Sequence, residues 1–259
     1  LLETKNLTIR FGGHVAVDHV SCAFAPGTLT AIVGPNGAGK TTYFNLISGQ
    51  LPASEGQVLL GGQDITGLSA PLRTRRGLGR AFQLTQLFPN LSVLENVRLA
   101  VQAREAGRGH GGGLFGMDLM RVWLDRRAWL DEAQHILDQV RLGGQGSAHA
   151  SSLPHGDQRK LEVALLIALD PQVFMFDEPT AGMSVDEVPV ILDLIRALKQ
   201  RQNATILLVE HKMDVVRELS DRIIVLHNGQ LVADGEPAAV IASPVVQQAY
   251  LGMAAEEPA

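Results

Sequence analysis

Two stretches of alternating apolar and polar residues, split by Gly12-Gly13, open the chain between Leu2 and Phe24. That alternation predicts a β-hairpin-like start. Leu29-Thr30-Ala31-Ile32-Val33 reads as a buried strand, and a helix is expected to begin at Thr41 and run to Ile47. Gln57 to Leu60, followed by Gly61-Gly62, reads as a short strand and a turn. From Ser92 to Ala106 the apolar spacing becomes helical, with Val93, Leu94, Val97, Leu99 and Ala100 on one stripe. Ser92 and Glu95 have capping-box spacing, and Leu91 stands where a hydrophobic staple residue would. A second amphipathic stretch runs from about Arg126 to Val140, between glycine-containing loops at 107–116 and 143–152. A further helix is expected from near Gly156 to Leu169, stopped by Asp170-Pro171. Val173 to Phe176, Thr205 to Val209 and Arg222 to Leu226 are short continuous apolar runs, typical of parallel strands buried on both faces. Helices are expected over Val185 to Arg201 and Met213 to Leu219. Asn228-Gly229 is a hairpin signal that pairs Leu231-Val232-Ala233 back antiparallel. Strands alternating with helices predict an α/β core. The helical middle reads as a subdomain inserted into that core. The expected division is 1–83 and 156–259 for the core, with 84–155 as the helical part.

Composition narrows this picture only slightly. The 259 residues suffice for one large α/β domain or a core plus a subdomain. The net charge of -5, with no basic arm or stripe, argues against non-specific nucleic-acid binding. Arg73, Arg75, Arg76 and Arg80 form a local basic cluster, read here as a solvated face in preference to a phosphate or lipid contact. The single cysteine, Cys22, rules out an internal disulfide and reads as a small buried hydrophobe in a reducing compartment. His110 has no partners at metal-ligand spacing. No signal-peptide pattern is visible. The chain opens at Leu1 rather than Met, which leaves a missing or fused N-terminal segment open. No apolar run approaches the ~20 residues that span a bilayer. Work at a membrane would therefore go through a partner.

The chemistry begins at Gly34-Pro35-Asn36-Gly37-Ala38-Gly39-Lys40-Thr41-Thr42, a full match to G-x-x-x-x-G-K-[ST]. It stands between the predicted strand and helix that this phosphate-binding loop requires. Glycines let backbone N–H groups turn inward around phosphates, and the helix N-terminus adds a favourable dipole. Lys40 has the reach for β- and γ-phosphates, and the Thr41 hydroxyl can join a Mg²⁺ shell. Phosphoryl chemistry also needs a metal-holding carboxylate at the end of a buried strand. Phe174-Met175-Phe176-Asp177-Glu178 supplies one, with Asp177 placed for Mg²⁺ and Glu178 placed to polarise an attacking water.

In this order the motifs resemble the ATP-binding cassette (ABC) family of transport ATPases, over nearly the whole chain. The resemblance implies a P-loop NTPase core of ABC type, with an N-terminal antiparallel β subdomain and the helical insertion. It implies that ATP is bound by Phe11, stacked on the adenine, by Val17, and by Asn36, Gly37, Ala38, Gly39, Lys40, Thr41 and Thr42 of the phosphate loop. Thr41, Gln83 and Asp177 would hold Mg²⁺. Gln83, in Ala81-Phe82-Gln83, matches the glutamine that senses the γ-phosphate and links to the membrane partner. His211, in Val209-Glu210-His211, matches the switch histidine. Gly156 would contact the nucleotide of a second subunit, in trans.

Two segments depart from the family pattern. Where the family usually reads Leu-Ser-Gly-Gly-Gln, this chain has Leu153-Pro154-His155-Gly156-Asp157-Gln158. The hydroxyl is lost at Pro154, while Gly156 and the helix N-terminus remain. After Glu178, Ala181-Gly182-Met183-Ser184 stands where many members have Ser-Ala-Leu-Asp.

The phrases Asn90 to Val97, Glu178 to Met183, Glu210 to Met213 and Ala249 to Gly252 are similar to the branched-chain amino acid type of uptake ATPase. The urea, amide and aromatic-acid branches are closely alike. The implied partners are a second ABC ATPase subunit, integral membrane permeases and, indirectly, a solute-binding protein. The implied place is the cytoplasmic face of the inner membrane. Two other readings stay open at this point: the ATPase of a lipid or lipopolysaccharide exporter, and a soluble non-transport ABC protein.

Overall fold

The alternating N-terminal stretches form the expected hairpin, β1 (Leu2–Phe11) against β2 (His14–Phe24), antiparallel. In a computed structural model, which describes residues 1–81, 87–107 and 119–248, the order continues through β3 (Leu29–Val33), α1 (Lys40–Ser48), β4 (Glu55–Leu60), β5 (Gln63–Asp64), α2 (Ala70–Arg75) and β6 (Leu78–Ala81). Then come α3 (Val93–Gly107), α4 (Leu119–Gln139), α5 (His155–Leu169), β7 (Val173–Asp177), α6 (Val188–Lys199) and β8 (Thr205–Val209). The order closes with α7 (Met213–Leu219), β9 (Arg222–His227), β10 (Gln230–Gly235) and α8 (Pro237–Ile241). Among the described residues no helix is long and apolar enough to cross a membrane.

The chain divides into two compact units. The first comprises Leu1–Arg80, Gln172–Glu178 and the chain from Arg196 onward. It holds an antiparallel sheet in the order β2-β1-β4-β5 and a six-stranded sheet in the order β10-β9-β3-β8-β7-β6. In the second sheet β3 runs parallel to β8 and β9, and β7 parallel to β8, while β10 turns back antiparallel on β9. Every residue of β3, β7 and β8 is buried, as strands covered on both faces require. The period of two assigns their faces. Ile32, Ile224 and Leu226 join one apolar cluster with Phe24, Val17, Tyr43 and Phe44, which unites the hairpin, α1 and the sheet. Ala31, Val33, Ile223 and Val225 face the other way, against Val216 of α7 and Val240 of α8.

Arg73 and Arg80 correct the reading of the basic cluster as a solvated face. Only Arg75 and Arg76 of the four are exposed. The Arg73 side chain is buried and donates to the carbonyls of Leu46, Ile47, Thr66 and Leu68. Leu46 and Ile47 lie in the last turn of α1, where carbonyls lack intrahelical partners, so Arg73 caps that helix from a distant part of the sequence.

The second unit comprises Ala81–Pro171 and Pro179–Ile195. Here α3 packs on α4 and α5 through the stripe Val93, Val97 and Val101. Arg104 pairs with both carboxylate oxygens of Glu132 on α4 and donates to the Ala168 carbonyl of α5, so one side chain ties three helices. The Glu95 N–H donates to Ser92 Oγ at 3.1 Å, as a cap. The staple does not form: the fourth helical position is Asn96, and Leu91 stays partly exposed. Asn96 instead fastens the entering chain, accepting from the Phe88 N–H and donating to the carbonyls of Phe88 and Ser92. Helix α6 runs from Val188, and the turn before it, 185–187, is closed by Ser184 and Glu187. Glu187 accepts from both the backbone N–H and the hydroxyl of Ser184.

Candidate functional site

Register in the six-stranded sheet determines where the chemistry meets. Val209 of β8 pairs with Ile32 of β3 on one side and Asp177 of β7 on the other. The carboxyl ends of the three strands are therefore level, and open α/β sheets bind ligands at such ends. Gly34, Glu178 and Glu210 each follow directly from those ends.

The phosphate loop is closed by a hydrogen bond from the Ala38 N–H to the Pro35 carbonyl, and α1 starts with the Tyr43 N–H on the Gly39 carbonyl. Gly39 caps the helix with φ at 97°. A Cβ there would lie 2.5 Å from the Ala16 carbonyl oxygen, so both the dihedral and the space demand glycine. Asn36 and Gly37 are exposed at the rim, Ala38 is buried, and Thr41 is exposed on the first turn with Thr42 half-buried beside it. Lys40 folds back over its own loop, donating to the carbonyls of Gly34 at 2.7 Å and Pro35 at 2.8 Å. Burial pulls its ammonium below the ordinary lysine value, and the charges of Glu178 and Asp177 oppose that pull.

Asp177 and Glu178 are neighbours in sequence with opposite surroundings. The Asp177 carboxylate is 9 % exposed and accepts from Arg80 Nη2 at 2.7 Å through Oδ2. Glu178 takes a left-handed backbone, with φ at 50°, while its N–H donates to the Val209 carbonyl. Its Oε1 lies 2.7 Å from His211 Nε2, with each side chain about two-fifths exposed (42 % for His211, 41 % for Glu178). The turn carrying His211 is fixed by buried Glu210, whose Oε2 accepts from the N–H groups of His211 and Lys212.

Phe11 ends β1 with half its surface exposed (50 %), so it is not a core residue. Val17 has no exposed surface and lies behind the loop, against Gly39 and Gly229. Gln83 lies outside the described residues. Gly156, in the second unit, is the second residue of α5, with Pro154 as its cap residue and His155 exposed. A Cβ at Gly156 would meet the Glu187 carboxylate at 2.1 Å. Lys160 links that carboxylate, at 3.6 Å, to Asp157 at 2.7 Å.

Sequence reading missed two participants, Arg80 and Glu210. The signal for Arg80 was its place among apolar neighbours, Leu78-Gly79-Arg80-Ala81, where a charge needs an internal partner.

The donor set fits ATP with Mg²⁺. Mg²⁺ keeps several waters and takes one or two carboxylates beside substrate phosphates. Thr41 and Asp177 offer one hydroxyl and one carboxylate. Among the described residues no group of three or more His, Cys, Asp or Glu could hold a metal unaided.

A phosphate loop, a strand-end carboxylate pair and a histidine, level at the carboxyl ends of three parallel strands, define a P-loop ATPase. The chain belongs to the ABC transporter family, whose model matches residues 17–181. It is 37% identical over 254 residues to the high-affinity branched-chain amino acid transport ATP-binding protein BraF of Pseudomonas aeruginosa, covering 98% of each chain. It is 38% identical to LivG of Escherichia coli, which bears the same description, again over 98% of each. Among solved structures it resembles the ADP conformation of MJ1267, an ATP-binding cassette of an ABC transporter, with a TM-score of 0.77 and 29% identity. That match covers 97% of this chain and 98% of the other.

Proposed function

We propose that the chain is the ATP-hydrolysing subunit of a membrane importer for branched-chain amino acids or a related small polar solute. The observation that supports hydrolysis is the level register of β3, β7 and β8, which gathers Lys40, Asp177, Glu178 and His211. The solute class rests on the transport proteins that the chain resembles over almost its full length.

ATP with Mg²⁺ supplies the phosphoanhydride that is cleaved. Backbone N–H groups from Asn36 to Thr42 and the Lys40 ammonium hold the phosphates, and Phe11 stacks on the adenine. Val17 supports the loop from behind. Thr41, Gln83 and Asp177 hold the metal. Glu178 accepts a proton from the attacking water at a carboxylate oxygen, and His211 keeps that carboxylate aimed through Nε2.

A second ABC ATPase subunit, either a copy of this chain or a related one, faces this one head to tail, and Gly156 contacts the nucleotide of that subunit in trans. Residues 1–83 and 156–259 serve nucleotide, while 84–155 carries the motion onward. The partners are integral permeases at the cytoplasmic face of the membrane and, through them, a solute-binding protein.

The test is ATPase turnover of the purified chain with the permeases encoded beside it and a panel of solutes on their binding protein. Stimulation by a branched-chain amino acid, urea, an amide or an aromatic acid is expected, and which of them stimulates fixes the solute. Basal turnover that no solute changes would overturn the importer reading.

A further inference from the structure

Arg80 reaches from the metal carboxylate to the phosphate-loop helix, and nothing in the ATPase reading assigns it a task. Its guanidinium is nearly enclosed, with 6 % of the side chain exposed. On one side Nη1 donates to Asn45 Oδ1 at 2.7 Å, Ser48 Oγ at 2.8 Å and Gln50 Oε1 at 3.3 Å. All three acceptors belong to the C-terminal end of α1 or the residues after it. On the other side Nη2 donates to Asp177 Oδ2. The guanidinium carbon lies 5.0 Å from the Phe44 ring centroid, which fixes the plane. Helix α1 has no basic residue of its own in its last turn, so Arg80 brings a cation to the negative end of the helix dipole.

The mode of pairing is informative. Arginine and carboxylate commonly pair through two parallel hydrogen bonds. Here the second guanidinium nitrogen is spent on α1, and the carboxylate is engaged through Oδ2 alone. Oδ2 is pinned, and Oδ1 remains for another cation. A carboxylate so buried would otherwise attract any divalent ion strongly, since charges interact strongly where water is excluded. Arg80 already balances that charge, and its other contacts prevent it from swinging aside.

We propose that Arg80 is a positioning residue for the metal carboxylate. It holds Asp177 in place through one oxygen, and it keeps the site from taking a divalent cation unless nucleotide phosphates arrive with it. Among the described residues no three His, Cys, Asp or Glu side chains cluster to hold a metal, which fits an ion that keeps waters and takes nucleotide phosphates as ligands. This inference rests on the reading of Asp177 as the metal carboxylate.

The test uses Mn²⁺ as the probe, with binding read from the paramagnetic resonance signal of the free ion, with and without ATP. Wild type is expected to bind Mn²⁺ weakly without nucleotide. Arg80→Met is expected to bind it at least ~10-fold tighter in that state, because a neighbouring like charge has been removed. Arg80→Lys, which keeps the charge, is expected to stay near wild type. The gain is expected to vanish in Arg80→Met/Asp177→Asn. If Arg80→Met does not fold, Arg80→Gln replaces it as the neutral variant. Tight nucleotide-free binding by wild type, or no gain in the neutral variant, overturns the proposal. If in that case Asp177→Asn still weakens Mn²⁺ binding in the presence of ATP, the metal assignment survives and only the role of Arg80 fails. If Asp177→Asn leaves binding with ATP unchanged, the metal assignment fails and the proposal falls with it.

Discussion

Asp177 and Glu178 share a peptide bond and sit in two different environments. Asp177 ends a strand buried along its whole length and meets an arginine inside the protein. Glu178 has stepped out of the strand into a left-handed backbone and meets a histidine at the surface. The first pair works by burial, where losing one partner strands a charge in low dielectric. The second works by access, where water reaches both groups and the pair adds little to stability. One residue of chain thus separates a carboxylate held inside the protein from one that water reaches.

Breaking the buried pair should have the largest effect. Arg80→Met or Asp177→Leu alone is expected to lower unfolding free energy by about 3–5 kcal/mol, while the double variant recovers most of that loss. Denaturant melts of the four proteins check this. Equal loss in the double variant would mean that Asn45, Ser48 and Gln50, rather than charge balance, make Arg80 matter. Next comes the exposed carboxylate. Glu178→Gln is expected to cut ATP hydrolysis at least ~10²-fold, the usual worth of a positioned base, while nucleotide still binds. Near-normal turnover would remove Glu178 from its role. The smallest effect is on the surface pair. His211→Gln is expected to change unfolding free energy by no more than ~1 kcal/mol, even though turnover falls. A larger loss would place that pair in the same class as the buried one.

The β-strands were legible because their signals are local. Continuous apolar runs gave β3, β7 and β8, and Asn228-Gly229 gave the turn into β10. The phosphate loop and the carboxylate pair were legible because their chemistry needs fixed spacing. The fate of Arg73 and Arg80 was not, because a run of basic residues carries no mark of which ones meet carbonyls or carboxylates brought from elsewhere. Arg80 and Asp177 lie 97 positions apart and meet only once β6 and β7 share a sheet. The structure starts α6 three residues after Val185, which extends an apolar pattern in sequence but is the most exposed of the large hydrophobic residues described.

The turn between β9 and β10 reaches back to the phosphate loop. The Gly229 N–H donates to the Ala38 carbonyl, and the Gly229 carbonyl accepts from the Asp18 N–H. During synthesis the loop sequence emerges before the turn that braces it, since Gly229 follows Ala38 by roughly 190 residues. Contacts of such separation form late, since the chain must first be closed over a long loop. A nascent chain that ends before Asn228 therefore carries the whole phosphate motif without its brace.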